Sequence, residues 1–173
     1  MNPFQKLFGV ILICSSVSIA CGQNINWRGT IASYDGKSLG VNLRNGQTIL
    51  IDLPEALPIS TTEPFSMADI KPGMVLGVTT VNRADGSKVA IDVRPISATA
   101  PQGLSAYDLQ PQSTMTNAVL EATVLNTEMH ELVLNYKTGS VKVLVPAGTP
   151  MSRAAPGSRI DLVTGQSVYV ASK

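Results

Sequence analysis

The sequence predicts an all-β protein in which two small, partly open antiparallel β-barrels follow an N-terminal signal segment. Three observations support this prediction. Apolar and polar residues alternate with a period of two in most segments after residue 26, as they do in half-buried strands. Turn dipeptides such as Asp-Gly and Asn-Gly separate these segments at short intervals. The second half of the chain also resembles the first, about 92 residues later, and such self-similarity defines the fold unit.

The repeat is clearest in a segment rich in proline. Residues 53–60, Leu-Pro-Glu-Ala-Leu-Pro-Ile-Ser, return as residues 145–152, Val-Pro-Ala-Gly-Thr-Pro-Met-Ser. The match continues without a gap through the next turn of the chain. We therefore expect a first copy (residues 28–94) and a second copy (residues 118–171) to form related barrels.

Four turn residues recur at equivalent places in the two copies. Asp69 returns as Asp161, and Gly73 returns as Gly165. An aspartate just before a strand can accept a local backbone N–H bond and so stabilise a turn. A metal or substrate carboxylate is the functional alternative for the two aspartates. Recurrence in both copies favours the structural interpretation of all four residues.

Residues 1–20 have the features of a signal peptide. Lys6 supplies a positive charge, and an apolar run begins at Leu7. Small residues precede the predicted cleavage point after Ala20. The apolar run is short for a permanent transmembrane helix. We expect the protein to be exported.

Cys21 directly follows the predicted cleavage point and precedes Gly22, as in a bacterial lipobox. We expect Cys21 to carry a lipid and Cys14 to be removed with the leader. Simple secretion without lipid is the alternative, and it would leave an unpaired thiol in an oxidising compartment. The predicted location is the periplasm or the membrane surface, with membrane contact only through the lipid anchor.

The first module, residues 27–96, contains five predicted strands, and Asn45-Gly46 is the strongest of its hairpin signals. The five segments are 28–34, 38–44, 48–53, 74–81 and 88–94. Residues 97–116 lack periodicity and are predicted to be a linker.

The second module, residues 117–173, contains four predicted strands, and no fifth strand follows them in this sequence. The four segments are 118–125, 131–136, 141–145 and 167–171. We expect the missing strand to leave an open edge that the linker, the N-terminal segment or a partner chain covers. Short antiparallel strands in this arrangement fit an OB-like or an SH3-like barrel.

The first copy contains three turn motifs, Arg-Gly-Thr-Ile-x-x-x-Asp-Gly at 28–36, Asp-Ile-Lys-Pro-Gly at 69–73 and Ala-Asp-Gly-Ser at 84–87. Between the copies, Tyr-Asp-Leu at 107–109 precedes Ser-Thr-Met-Thr-Asn-Ala at 113–118. These motifs resemble a family of small exported bacterial β-barrel domains of unknown function that occur in two copies. The resemblance covers most of the mature chain. It implies an OB-like fold and export, and it adds no catalytic residues.

Charge and motif content favour a protein that is not an enzyme and does not bind nucleic acid. The net charge is +1, without the clustered basic residues that nucleic acid requires. His130 is the only histidine. The serines of the repeated segment lack a histidine or lysine at a spacing that suggests an activated nucleophile, and they are Ser60, Ser66, Ser152 and Ser158. Met129 and His130 together are the one candidate for a copper site, although two residues provide few ligands. We place the pair in a surface turn and expect no metal and no cofactor.

These observations predict a non-catalytic, exported binding or structural module of the bacterial cell envelope. Its partner would be an envelope protein or another macromolecule that the sequence does not identify. The alternative is a periplasmic carrier that handles a ligand or a metal. A binding module should have an open strand edge or an apolar groove, whereas a carrier should have a pocket with converging polar groups.

Overall fold

The structure, a computed structural model, describes residues 25–125 and 129–172. The all-β prediction is confirmed, since the described residues contain strands and two single 3₁₀ turns, Met67–Asp69 and Arg159–Asp161. No helix in these ranges has the length and apolar character needed to cross a membrane. The predicted signal peptide, residues 1–20, lies outside the described residues.

The strands are β1 (Ile25–Tyr34), β2 (Ser38–Leu43), β3 (Thr48–Asp52), β4 (Ile59–Pro64), β5 (Val75–Asn82), β6 (Lys88–Pro95), β7 (Gly103–Tyr107), β8 (Ser113–Leu125), β9 (Met129–Tyr136), β10 (Gly139–Pro146), β11 (Ser152–Gly157) and β12 (Ser167–Ser172).

The described chain divides into two compact units. Unit 1 comprises residues 25–53 and 163–172, and unit 2 comprises the described residues between them. These bounds differ from the predicted modules, 27–96 and 117–173, because strands of the two predicted modules pair with each other. β12, which belongs to the second copy, pairs with β1 of the first, and β5 of the first copy pairs with β8 of the second.

Unit 1 is a four-stranded antiparallel sheet with the order β12-β1-β2-β3. The β2–β3 hairpin turns at Asn45-Gly46, where Gly46 has φ of 85°. The positive φ is the reason why glycine suits this position. One face of the sheet carries the buried side chains of Ile31, Leu39 and Val41. The period-two pattern in the sequence therefore corresponds to one covered face of this sheet.

Unit 2 contains a closed ring of five strands, in which β5, β6, β10, β9 and β8 pair in that order and β8 pairs back to β5. The pairing of β6 with β10 is parallel, and the other pairings in the ring are antiparallel. The ring encloses a cluster of ten buried apolar residues, Leu76, Val78, Ala90, Val93, Ala118, Leu120, Leu132, Leu134, Val143 and Val145. Burying one large apolar side chain contributes roughly 1.5–3 kcal/mol, so this cluster is the main source of stability for the ring.

The ladders of unit 1 recur in unit 2 with the same register. The β1–β2 ladder has an irregularity after the pair Ile31 and Val41, and the β8–β9 ladder has one after the pair Leu120 and Leu134. β2 pairs with β3 as β9 pairs with β10, and β1 pairs with β12 as β8 pairs with β5.

A two-stranded ribbon in unit 2 was not predicted from the sequence. β4 and β11 pair antiparallel, with Thr62 opposite Ala154 at the centre of the ladder. Glu63 accepts a hydrogen bond from the Nε of Arg153 at 3.0 Å across the ribbon. No residue of either strand is buried, so their sequences show none of the alternation that identifies a half-buried strand.

The predicted linker, residues 97–116, contains β7 and the beginning of β8. β7 pairs antiparallel with β8 from Gly103 opposite Asn117 to Tyr107 opposite Ser113. No residue of β7 is fully buried, and its composition therefore resembles that of a loop. Backbone hydrogen bonds to β8, which leave no trace in the residue pattern, make this segment a strand.

Candidate functional site

The recurring glycines join each 3₁₀ turn to a strand of the other copy. The N–H of Gly73 donates to the carbonyl of Leu120 at 2.8 Å, and the N–H of Gly165 donates to the carbonyl of Ile31 at 2.8 Å. The φ angles are 85° at Gly73 and 89° at Gly165. The left-handed region favours glycine, so the backbone conformation accounts for glycine at both positions.

The recurring aspartates close the same two turns. Oδ2 of Asp69 accepts from the backbone N–H of Ser66 at 2.9 Å and from its hydroxyl at 2.7 Å. Oδ2 of Asp161 accepts from the N–H and hydroxyl of Ser158 at 2.8 and 3.2 Å. Each carboxylate is thus engaged in a local turn, which is a structural role.

The bonds around Asp69 also perturb its acidity. The Ser66 hydroxyl is the largest influence that lowers the pKa of Asp69, and the Ser66 backbone N–H adds to it. The positive charges of Arg153 and Lys71 act in the same direction, while desolvation opposes them. Asp69 therefore stays ionised, as a hydrogen-bond acceptor, to a lower pH than an aspartate with the ordinary pKa.

Met129 and His130 lie at the start of β9 rather than in a turn, because the β8–β9 ladder extends to the pair Leu125 and His130. Both side chains are half-buried. Nδ1 of His130 is buried without a hydrogen-bond partner. Within residues 25–125 and 129–172, no three His, Cys, Asp or Glu side chains form a group that could hold a metal ion.

The predicted lipidation residue, Cys21, and the predicted leader cysteine, Cys14, lie outside the described residues. The structure therefore adds no geometry to the expected lipid anchor.

The two edge strands of unit 1 form the candidate site, here called the open edge and defined as β3 together with β12. Among the described strands, β3 pairs only with β2 and β12 pairs only with β1. In unit 2 the equivalent strands are β10 and β5, and β6 lies between them and pairs with both. The described part of unit 1 has no strand in the place that β6 occupies in unit 2.

Apolar side chains at the open edge are less covered than their equivalents in the ring. The unit 1 residues are half-buried, and they are Ile51, Val168 and Val170. The equivalents in unit 2 have no solvent exposure, and they are Val143, Leu76 and Val78 respectively. β6 supplies Ala90 and Val93 to the cluster that covers these equivalents. The open edge thus combines edge strands with partly exposed apolar residues on the face that carries the buried side chains.

The opposite face of the same sheet carries large exposed groups. The guanidinium of Arg28 lies 4.4 Å from the ring centroid of Tyr169, within the range of a cation–π interaction. Tyr169 is 49% exposed, and Leu50 of β3 is 71% exposed. These groups give the outer surface beside the open edge a mixed aromatic, cationic and aliphatic character.

The sequence predicts an open edge in the second module alone. The edge instead combines β3 of the first copy with β12 of the second. The two copies share an apolar alternation, so the pattern gives no indication of which copy supplies each neighbour.

Comparisons with protein-family models, with curated proteins and with solved structures find no match to this chain.

Proposed function

We propose that this protein is an exported, non-catalytic binding or structural module of the bacterial cell envelope. The observation that carries the proposal is the open edge of unit 1. A sheet edge with partly exposed apolar residues is a template for another chain, and natural proteins usually cover such edges. A protein whose role is to bind a partner would instead keep an uncovered edge for that partner.

The proposed architecture is a tandem repeat of two OB-like barrels that exchange strands. In an OB barrel the first strand pairs with the fourth, and the third runs parallel to the fifth. The ring in unit 2 has this arrangement if β8, β9 and β10 are its first three strands and β5 and β6 its last two. The parallel β6–β10 pairing supports an OB-like rather than an SH3-like barrel. Unit 1 would be the same barrel without its fifth strand.

The absence of a catalytic role is part of the proposal and rests on the chemistry of the sequence. His130 is the only imidazole in the chain, and a serine nucleophile needs a neighbouring base. Asp69 and Asp161, the recurring carboxylates, are engaged in their own turns. The nearly neutral charge supports a protein partner over nucleic acid.

Export and lipidation are tested with the chain expressed behind its own leader. The proposal expects the protein in the envelope fraction, with a mature N-terminus at Cys21 that carries a lipid mass. Cys21→Ser should move the protein to a soluble or uncleaved form. An unmodified mature chain that begins at Cys21 or Gln23 would reject lipidation, and retention in the cytoplasm would reject export.

Binding is tested by placing a photo-crosslinking amino acid at Ala171, on β12, and in a control chain at Leu104, on β7. Both positions are solvent-exposed. In intact cells, the proposal expects one envelope protein, identified by mass spectrometry, to crosslink from position 171 and not from 104. If neither position nor a wider scan of exposed sites yields a specific crosslink, the binding role is wrong.

The metal-carrier alternative has one observation in its favour, the buried and unpartnered Nδ1 of His130 beside Met129. Imidazole and thioether are ligands that suit copper. Isothermal titration of the mature chain with Cu(I) or Cu(II) tests this function. Stoichiometric binding that His130→Ala abolishes would support the carrier function, and equal weak binding by both proteins would reject it.

A further inference from the structure

We infer that the open edge of unit 1 accepts an extended strand of a partner protein that resembles β6, running antiparallel to β12 and parallel to β3. This inference rests on the proposed binding role and specifies its site and the chemistry of the partner. Strand addition to an exposed edge is a common form of peptide recognition, in which backbone bonds provide affinity and alternate side chains provide specificity.

The ring in unit 2 serves as a template for the partner. β6 pairs antiparallel with β5, with Val93 opposite Val78 and Pro95 opposite Leu76. It pairs parallel with β10, with Lys88 opposite Val143. Since the other ladders of the two units share their registers, a strand in the same place in unit 1 would satisfy both edge strands simultaneously.

Transfer of this register to unit 1 identifies the contacts of the accepted strand. Val170 is the equivalent of Val78, so a residue in the position of Val93 would lie opposite Val170. Val168 is the equivalent of Leu76 and would lie opposite the position of Pro95. Both valines are half-buried, which leaves apolar surface for the partner to cover.

The template also defines which side chains the partner needs. Ala90 and Val93 are the residues of β6 that enter the buried cluster. They lie three positions apart because the β5–β6 ladder has an irregularity between Thr79 and Thr80. Asp92 and Arg94 form an ion pair with each other. The partner strand therefore carries one small and one β-branched apolar residue with this spacing, and it tolerates polar residues at the positions of Asp92 and Arg94.

The probe is a synthetic peptide with the sequence of residues 87–96 of this chain, which contains β6. It is titrated into the mature full-length protein by fluorescence anisotropy, and hydrogen exchange maps the bound state. We expect saturable binding and slowed exchange in β3 and β12. Slowed exchange elsewhere, or altered exchange in β5 and β10 through displacement of the resident β6, would overturn the inference.

Two variant peptides test the side-chain requirement without any risk to the fold of the protein. A peptide with Ala90→Asp and Val93→Asp should bind at least ~10-fold more weakly, because charged groups would then face an apolar surface. A matched peptide with Asp92→Ser and Arg94→Ser, altered only at the polar positions, should bind within about threefold of the parent. Equal affinity for all three peptides would contradict the inferred register.

A pair of protein variants tests the acceptor side. Val170→Asp places a charge on the apolar face of β12 and should weaken peptide binding at least ~10-fold. Ala154→Asp places the same charge on an exposed residue of β11, outside the open edge, and should leave affinity within about threefold. Thermal unfolding shows whether each variant remains folded. If Val170→Asp unfolds, the peptide variants still decide the question with the unaltered protein.

Sedimentation of the mature protein, together with hydrogen exchange, distinguishes a partner strand from the other chains that could fill the open edge. A monomer that binds the peptide supports a partner strand. A dimer whose open edge is already protected from exchange would show that a second copy fills the site, and a protected monomer would show that another segment of the chain does. Either result overturns the inference. If the peptide fails to bind while crosslinking in cells identifies a partner at another surface, only the strand-acceptor inference is lost.

Discussion

A serine and an aspartate three residues apart close the turn that leads into β5 and the turn that leads into β12. In both turns the carboxylate accepts the backbone N–H of the serine, and a glycine with positive φ follows four residues after the aspartate. The side chains thus satisfy turn donors locally, while the glycine N–H reaches a carbonyl on a different strand. This small set of residues positions two of the strands on which the architecture depends.

The lowered pKa of Asp69 predicts a pH dependence at the first turn. The ionised carboxylate stabilises the folded state at pH values above the pKa of the unfolded chain, and this contribution is lost as the pH falls through the lower folded-state pKa. NMR titration of the side-chain carboxyl should give a pKa below the ordinary value for aspartate. Ser66→Ala should move it back upward, and an unchanged pKa in that variant would contradict the assigned cause.

Gly73→Ala and Gly165→Ala should each destabilise the protein, since a left-handed conformation costs a non-glycine residue about 1–2 kcal/mol. The control is Gly139→Ala. Gly139 does not have a positive φ, and the atom nearest to the methyl group of an alanine there would be the Tyr136 hydroxyl oxygen at 3.5 Å. Chemical denaturation measures the three free energies of unfolding. A loss at Gly139 as large as at the other two would show that side-chain volume rather than φ is responsible.

At the scale of elements, the closed ring of unit 2 distinguishes it from the open sheet of unit 1. β6 joins β5 to β10 and completes the ring, whereas β3 and β12 have no such neighbour among the described strands. The β4–β11 ribbon belongs to unit 2 and is held by its ladder and by the exposed Glu63–Arg153 pair. Such an exposed ion pair contributes little, about 0–1 kcal/mol, so backbone pairing is the main interaction across the ribbon.

Removal of β12 tests the strand exchange directly. A chain that ends at Thr164 should lose hydrogen-exchange protection in β1, because β12 is the neighbour of β1. The β8, β9 and β10 strands, which belong to the same sequence copy as β12, should keep theirs. Mass spectrometry of proteolytic fragments measures hydrogen exchange in β1 and in β8–β10. Loss of protection in β8–β10 with β1 unaffected would indicate that each copy folds from its own strands.

At the scale of the whole molecule, the chain forms two compact units that each contain strands from both copies. Unit 2 is contiguous in sequence and contains the ring with its buried cluster. Unit 1 brings together two distant segments, which has an entropic cost of loop closure. Its apolar face is also less completely covered than that of the ring. We expect unit 2 to be the more stable of the two.

A fragment of residues 54–162 should therefore fold alone, with a cooperative thermal transition and a circular dichroism spectrum dominated by β structure. A fragment of residues 23–96, which corresponds to the first copy, should not fold, since it lacks β12 as well as β8, β9 and β10. Folding of the 23–96 fragment with the stability of the full chain would contradict the unit boundaries.

The sequence by itself determined the fold class and much of its detail. Alternation of apolar residues identified the strands that have a covered face, and the turns at Asn45-Gly46, Gly73 and Gly165 follow from residue chemistry. The roles assigned to Asp69 and Asp161 also needed only local spacing. Exposed strands were not recognised, because β4, β7 and β11 bury too few apolar residues to produce a periodic pattern.

Only the tertiary structure decided which strands are neighbours. β5 and β12 carry equivalent patterns, and β1 and β8 do as well, so either pairing buries comparable apolar residues and satisfies the same ladder bonds. No local pattern encodes the choice, and the backbone hydrogen bonds from Gly73 to Leu120 and from Gly165 to Ile31 show which pairing the chain adopts. Because of this pairing, the open edge lies in unit 1 and not in the second module, where the sequence predicts it. The structure also places Met129 and His130 in β9, because the ladders of β9 with β8 and with β10 extend to these residues.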